Sequence, residues 1–192
     1  MLFFRLTLII ALAWPLAARP ASPIAAPEGW RTETFPFPLA FAPSIPYEGT
    51  EHVRFSPAWS KWDQADGFTY VYMWDIKRTP MEAARLERAL QVYFDGLLEN
   101  VARGREIKED PVATAVTLHP LAAPSGWADA YAGSVFTWNP FNKGEDLRLY
   151  AEIAQRPCPE GRMQIFFAMS KAKRTETEPW TQLRRIRAAT AC

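Results

Sequence analysis

Two histidines, two cysteines and a loop that sets tryptophans beside carboxylates are the residues of this 192-residue chain whose types could do chemistry. His52 follows Glu51 and stands two residues before Arg54; His119 precedes Pro120. Histidine changes charge near neutral pH, so it is the first place to look for acid–base work. A nucleophilic triad would also need a serine or cysteine beside it and a carboxylate to orient it. Ser44, Ser56 and Ser134 are available, but none lies in a G-x-S-x-G turn. In the stretch Trp59-Ser60-Lys61-Trp62-Asp63-Gln64-Ala65-Asp66, two indoles could stack on a sugar ring. Asp63 and Asp66 could bond its hydroxyls or form the carboxylate pair of a glycoside hydrolase. Loop acids are more often solvated charges, and exposed aromatics are frequent anchors for a partner. Trp59, Trp62, Asp63 and Asp66 are therefore read as a candidate binding surface, and no catalytic residue is assigned.

The sequence has no H-E-x-x-H, no C-x-x-C, no calcium loop and no phosphate loop. A zinc set drawn from Cys158, Cys192, His52 and His119 would lack the paired local spacing of structural zinc sites. No metal and no cofactor are expected. Cys158 sits in the turn-rich stretch Arg156-Pro157-Cys158-Pro159-Glu160-Gly161, and Cys192 closes the sequence. Two cysteines with no local pairing motif are read as a disulfide that pins a C-terminal helix to that turn.

The elements that must position these residues follow from hydrophobic period. Phe35, Phe37, Leu39 and Phe41 alternate with prolines and alanines, which predicts an edge strand or extended arm. A strand is expected over 51–55. Over 68–76, Phe68, Tyr70, Tyr72, Trp74 and Ile76 share one face, while Thr69, Val71, Met73 and Asp75 share the other. Both faces are largely apolar, so this strand is expected to be central and covered on both sides. Tyr70, Tyr72 and Trp74 are candidates to line a pocket for an apolar ligand. The period then changes. Thr79-Pro80-Met81-Glu82 reads as a helix start with Glu82 as the return half of a capping box. Leu86, Leu90, Phe94, Leu97 and Val101 form one stripe, and Gly104 can end the helix. Strands follow over 112–118, 131–138, 147–154 and 163–170, with a turn at 142–146. A second helix begins near Glu178, with Thr175 or Thr177 as cap and Trp180, Leu183 and Ile186 buried. Arg184, Arg185 and Arg187 near its end suit the helix dipole. The order is β-β-β-α-β-β-β-β-α. That predicts one α+β domain, an antiparallel sheet of about six or seven strands with a long middle helix and a C-terminal helix packed on it.

The N-terminus reads as an export signal. Arg5 precedes the apolar run LTLIIALAWPLA, which is shorter than the roughly 20 residues a membrane helix needs. Residues 1–18 are assigned to the signal, with the cut falling anywhere from Ala17 to Ala26. Residues 19–29 are read as a flexible Pro/Ala-rich lead, and 30–192 as the single domain. No later segment is apolar enough to cross a membrane as a helix. Lys and Arg number 22 against 21 Asp and Glu. Removing Arg5 leaves bases and acids in balance, which gives no attraction to nucleic acid.

The stretch Gly29-Trp30, Phe37-Pro38-Leu39-Ala40-Phe41-Ala42-Pro43-Ser44-Ile45-Pro46-Tyr47-Glu48-Gly49 and Glu51-His52-Val53-Arg54-Phe55-Ser56-Pro57 resembles the opening of a group of uncharacterised exported bacterial proteins. The layout of elements also resembles that of PsbP/Mog1-like domains, a likeness of layout that implies no activity. The expectation is an exported, periplasmic or secreted, non-catalytic binding or accessory module whose partner is a small ligand or an envelope protein. Two rivals remain: a hydrolase using Asp63, Asp66 or His52, and a structural or immunity-type protein-binding domain. A deep cavity under the long helix, lined by Tyr70, Tyr72 and Trp74, would favour the small ligand. Convergence of His52 with a carboxylate and a serine would favour the hydrolase. A flat patch around Trp59 and Trp62 would favour a protein partner.

Overall fold

The elements appear in the predicted order: β1 (Arg31–Pro36), β2 (Gly49–Phe55), β3 (Tyr70–Lys77), α1 (Ala83–Gly104), β4 (Ala115–Leu121), β5 (Asp129–Asn139), β6 (Glu145–Cys158), β7 (Arg162–Ser170) and α2 (Trp180–Ala188). This computed structural model describes residues 22–64, 66–77, 79–107, 112–142 and 145–192. The signal assigned to 1–18 lies outside the described residues. The fold is α+β. All seven strands join one sheet in the order β1-β2-β3-β7-β6-β5-β4, and every pairing is antiparallel.

Each face of the sheet carries one helix, because the strand alternation gives each face its own apolar set. Tyr72, Trp74, Leu149, Ile153 and Phe167 turn toward α1. Val71, Met73, Ala154 and Phe166 turn toward α2. Val71, Tyr72, Met73 and Trp74 are all fully buried, as expected for a strand covered on both sides. The crossover from β3 to the far edge strand β4 lays α1 across its face. Two carboxylates on the helix fix it there. Glu87 accepts from the Leu118 N–H at 2.7 Å, and Asp95 accepts from the Thr114 N–H at 3.0 Å. Backbone donors at an otherwise open sheet edge are thus satisfied by the helix.

Three local expectations change. First, α1 starts at Ala83, with Glu82 as an N-cap that makes no side-chain cap bond. Met81 is drawn into the core, where Gln155 accepts from its N–H at 3.1 Å and donates to its carbonyl at 2.8 Å. A backbone held on both sides by one amide cannot join the first helical turn, and Thr79 instead donates to the Lys77 carbonyl. Second, neither Thr175 nor Thr177 caps α2; Pro179 is its N-cap, and the Thr177 carbonyl receives the Thr181 N–H. Third, the alternating run 35–41 leaves the sheet after Pro36 and folds under α1, burying Phe37, Leu39, Ala42 and Ile45. Gly96 permits that approach: a Cβ there would stand 1.9 Å from the Phe41 carbonyl oxygen.

The part of the lead that is described, from Ser22, is docked. Ile24 is 1% exposed in the core on the α2 side. Arg54 donates to Ser22 Oγ at 2.5 Å and to the Ile24 carbonyl at 3.0 Å, and the Ala191 N–H donates to the Pro23 carbonyl. Composition reads this stretch as linker because it weighs prolines and alanines; one buried isoleucine and one buried arginine hold it down. Cys158 and Cys192 form the expected disulfide, with their Cα atoms 5.5 Å apart. No helix among the described residues is long and apolar enough to cross a membrane.

Candidate functional site

Between α1 and the β1–β2 end of the sheet lies a cavity of about 320 Å³. Its sheet wall is Phe35, Val53, Phe55 and Tyr70, with Leu147 and Leu149 beyond. Its helix wall is Tyr93, Phe94, Leu97 and Val101. Leu97 and Val101 belong to the predicted apolar stripe but are only half-buried, because they face this space rather than packed atoms. Trp59, Phe68 and Phe141 close one end, while Arg31 and Glu33 stand at the rim.

The buried carboxyl of this cavity is Glu51. It is 1% exposed, yet it forms part of the lining. Trp74 Nε1 donates to its Oε2 at 2.7 Å, and the Tyr93 hydroxyl donates to its Oε1 at 3.2 Å. Burial pushes the carboxyl up to about 7, overcoming the two hydrogen bonds, and the nearby Glu33 adds to the rise. Burial also pushes the hydroxyls of Tyr70, Tyr72 and Tyr93 up, with Glu51 adding to each, so these three stay neutral near pH 7.

Glu51 carries a stability signature. The folded protein binds this proton more tightly than the unfolded chain does. The resulting stabilisation is complete below the ordinary glutamate value and is lost as pH rises through about 7. The span corresponds to about 3 kcal/mol. Glu51→Gln is expected to flatten that loss. Urea unfolding at acidic and alkaline pH checks it, and a variant slope equal to the wild type would contradict the assignment.

Of the three predicted pocket residues, only Tyr70 lines the cavity. Trp74 lies behind Glu51 as its donor, and Tyr72 is stacked between Tyr93 and Phe167 at centroid distances of 5.3 and 4.3 Å. The tryptophan loop divides. Trp59 and Trp62 pack with Phe68 and Phe141, at 5.1 Å for Trp59–Phe141 and 4.4 Å for Trp62–Phe68. Asp63 and Asp66 are exposed. Trp59 thus forms part of the cavity wall, while Trp62 packs behind it and both indoles stay partly exposed. Phe68 sits in left-handed backbone space, φ 51, which is unfavourable for a bulky residue and clusters at functional sites.

His52 alternates with Glu51 on β2 and points to the opposite face. Its Nδ1 lies 3.3 Å from Ser22 Oγ and 3.5 Å from Thr34 Oγ1. Burial pushes its pKa down to about 4, and the Arg54 charge adds to the fall. Among the described residues, no hydrogen bond joins His52 to Asp63 or Asp66. His119 is exposed on the edge strand β4. With both cysteines in the disulfide, neither is available as a thiolate ligand.

No family model, curated protein or solved structure matches the chain. The site is therefore read from its own geometry. Reasoning from sequence missed Glu51 although the signal was present: Glu51, Val53 and Phe55 share one strand face, so the glutamate had to point inward with them.

Proposed function

We propose that this is an exported, periplasmic or secreted, non-catalytic binding module that takes a small, largely apolar ligand between α1 and the sheet. One observation carries the reading: a preformed cavity of about 320 Å³ lined by aromatic and aliphatic side chains, with a single buried carboxyl among them. Small-molecule sites have that composition and begin at about that size. The disulfide is in keeping with an oxidising compartment.

Mass spectrometry of small molecules released from protein purified from its native source is expected to find an apolar compound in near-stoichiometric amount. Leu97→Trp, which fills the helix wall, is expected to abolish that retention with the unfolding midpoint preserved. Wild-type protein that carries nothing, and whose tryptophan fluorescence ignores added benzene derivatives, would sink the reading.

A further inference from the structure

We propose that the ligand of this cavity is an organic cation, a protonated amine or quaternary ammonium group on an apolar body, whose positive end is received by Glu51 and the surrounding aromatic rings. The inference rests on the binding-module reading and adds the ligand's charge to it.

Three observations carry it. The first is the wall chemistry. Ring faces carry negative quadrupole potential, and a cage of them beside a carboxylate is the chemistry that recognises ammonium groups. Phe35, Tyr70 and Tyr93 supply rings on the Glu51 side of the cavity, and Phe55 and Trp59 line it farther along. The second is that rings farther along the same cavity already hold a cation. The Arg31 guanidinium lies 4.5 Å from the Phe55 centroid and 5.5 Å from that of Trp59. The third is the charge balance. Arg31 at the rim is paired with Glu33 at 3.5 Å, so these two cancel and ionised Glu51 leaves the cavity net negative. Each Glu51 oxygen accepts one hydrogen bond from the protein. A carboxylate has about four acceptor positions, so about two remain for a ligand.

The groups around Glu51 are Glu33 from β1, Tyr70, Tyr72 and Trp74 from β3, and Tyr93 from α1, while Arg31 lines the cavity four residues farther along, opposite Phe55. Burial keeps the three phenols neutral in the working range. Affinity for a cation should therefore track ionisation of Glu51, weak when the carboxyl is protonated and strong when it is not.

Benzyltrimethylammonium and its uncharged isostere neopentylbenzene separate charge from shape. Binding to the oxidised full-length protein is followed by tryptophan fluorescence and calorimetry at roughly pH 5.5 and pH 8, either side of the Glu51 transition. At the higher pH the ammonium compound is expected to bind at least about tenfold tighter than neopentylbenzene. That advantage is expected to shrink at the lower pH and to vanish in Glu51→Gln. Neopentylbenzene binding as well as or better than the cation overturns the cation inference while the apolar-ligand reading stands. Cation binding that is indifferent to both pH and Glu51→Gln overturns it as well. Failure of both compounds to bind overturns the inference and the reading beneath it. The two-compound comparison on wild-type protein decides the matter even should the variant fold poorly.

Discussion

Glu152→Ala is expected to lower the unfolding free energy by about 3–5 kcal/mol, the range for stripping one partner from a buried ion pair. Glu152 is 2% exposed on β6, on the face that carries α2. Arg184 Nη2 donates to its Oε1 at 2.6 Å, Arg187 Nη1 to its Oε2 at 3.1 Å, and Arg174 Nε to Oε1 at 3.3 Å. Removing the carboxylate leaves three guanidinium groups around one vacated site. Arg184 and Arg174 are partly exposed and can turn to water, whereas Arg187 is buried. The lower half of the range is the better expectation for that reason. Burial opposes ionisation of Glu152, but Arg184 above all, with Arg187 and Arg174, holds its pKa below the ordinary glutamate value. The stability it confers is present above that ordinary value and is lost as pH falls through the folded one. This is the opposite slope to that of Glu51. Urea unfolding across pH should show wild-type protein weakened at both ends, Glu152→Ala with a shallower acid limb because His52 still resists protonation in the fold, and Glu51→Gln without the alkaline limb. An alanine variant as stable as wild type at neutral pH would refute the hub.

Opening the Cys158–Cys192 bond is expected to cost about 3–4 kcal/mol through the freedom returned to the unfolded chain. The bond spans a sequence separation of 34 and ties the end of α2 to the β6–β7 turn. It cooperates with other contacts at that end. Arg156 donates to the Thr190 carbonyl at 2.8 Å, and Gln164 donates to the Ala191 carbonyl at 2.8 Å. The double variant Cys158→Ser/Cys192→Ser should therefore unfold at lower denaturant yet keep α2 in place. Denaturation of the oxidised, reduced and serine forms checks this, and coincident curves would show the bond to be thermodynamically idle.

The architecture was legible because it depends on period. A stripe at three- and four-residue steps marked α1, and a doubly apolar run marked β3 as covered on both faces. Helix starts were not legible in the same way. Thr79-Pro80-Met81-Glu82 has every local sign of a cap, and it lost to a single distant side chain, Gln155, which holds the Met81 backbone in the core. Local propensity yields wherever tertiary bonds claim the same backbone groups. The candidate site was half legible for a related reason. Aromatic residues over 59–70 announced that rings would gather. Which rings line a space and which fill it depends on how far α1 stands from the sheet. Gly96 against the Phe41 carbonyl sets how closely the segment after β1 approaches α1, and no pattern in the sequence shows it. His52 drew notice by residue type, while its neighbour Glu51 holds the environment that tunes an acid.

The docking of Ser22–Ile24 beside the end of α2 has a consequence for how the protein can be handled and linked. The two ends of the described chain meet, joined by the Ala191 N–H on the Pro23 carbonyl, on the side of the sheet away from α1. The opening between Arg31, Glu33 and α1 lies on the other side. A fluorophore, surface anchor or fused domain attached directly beside Ser22 or Cys192 would emerge behind the sheet and leave the entrance clear. A short peptide joining those ends would close the chain into a ring, with new ends then available in the exposed loop around Asp63.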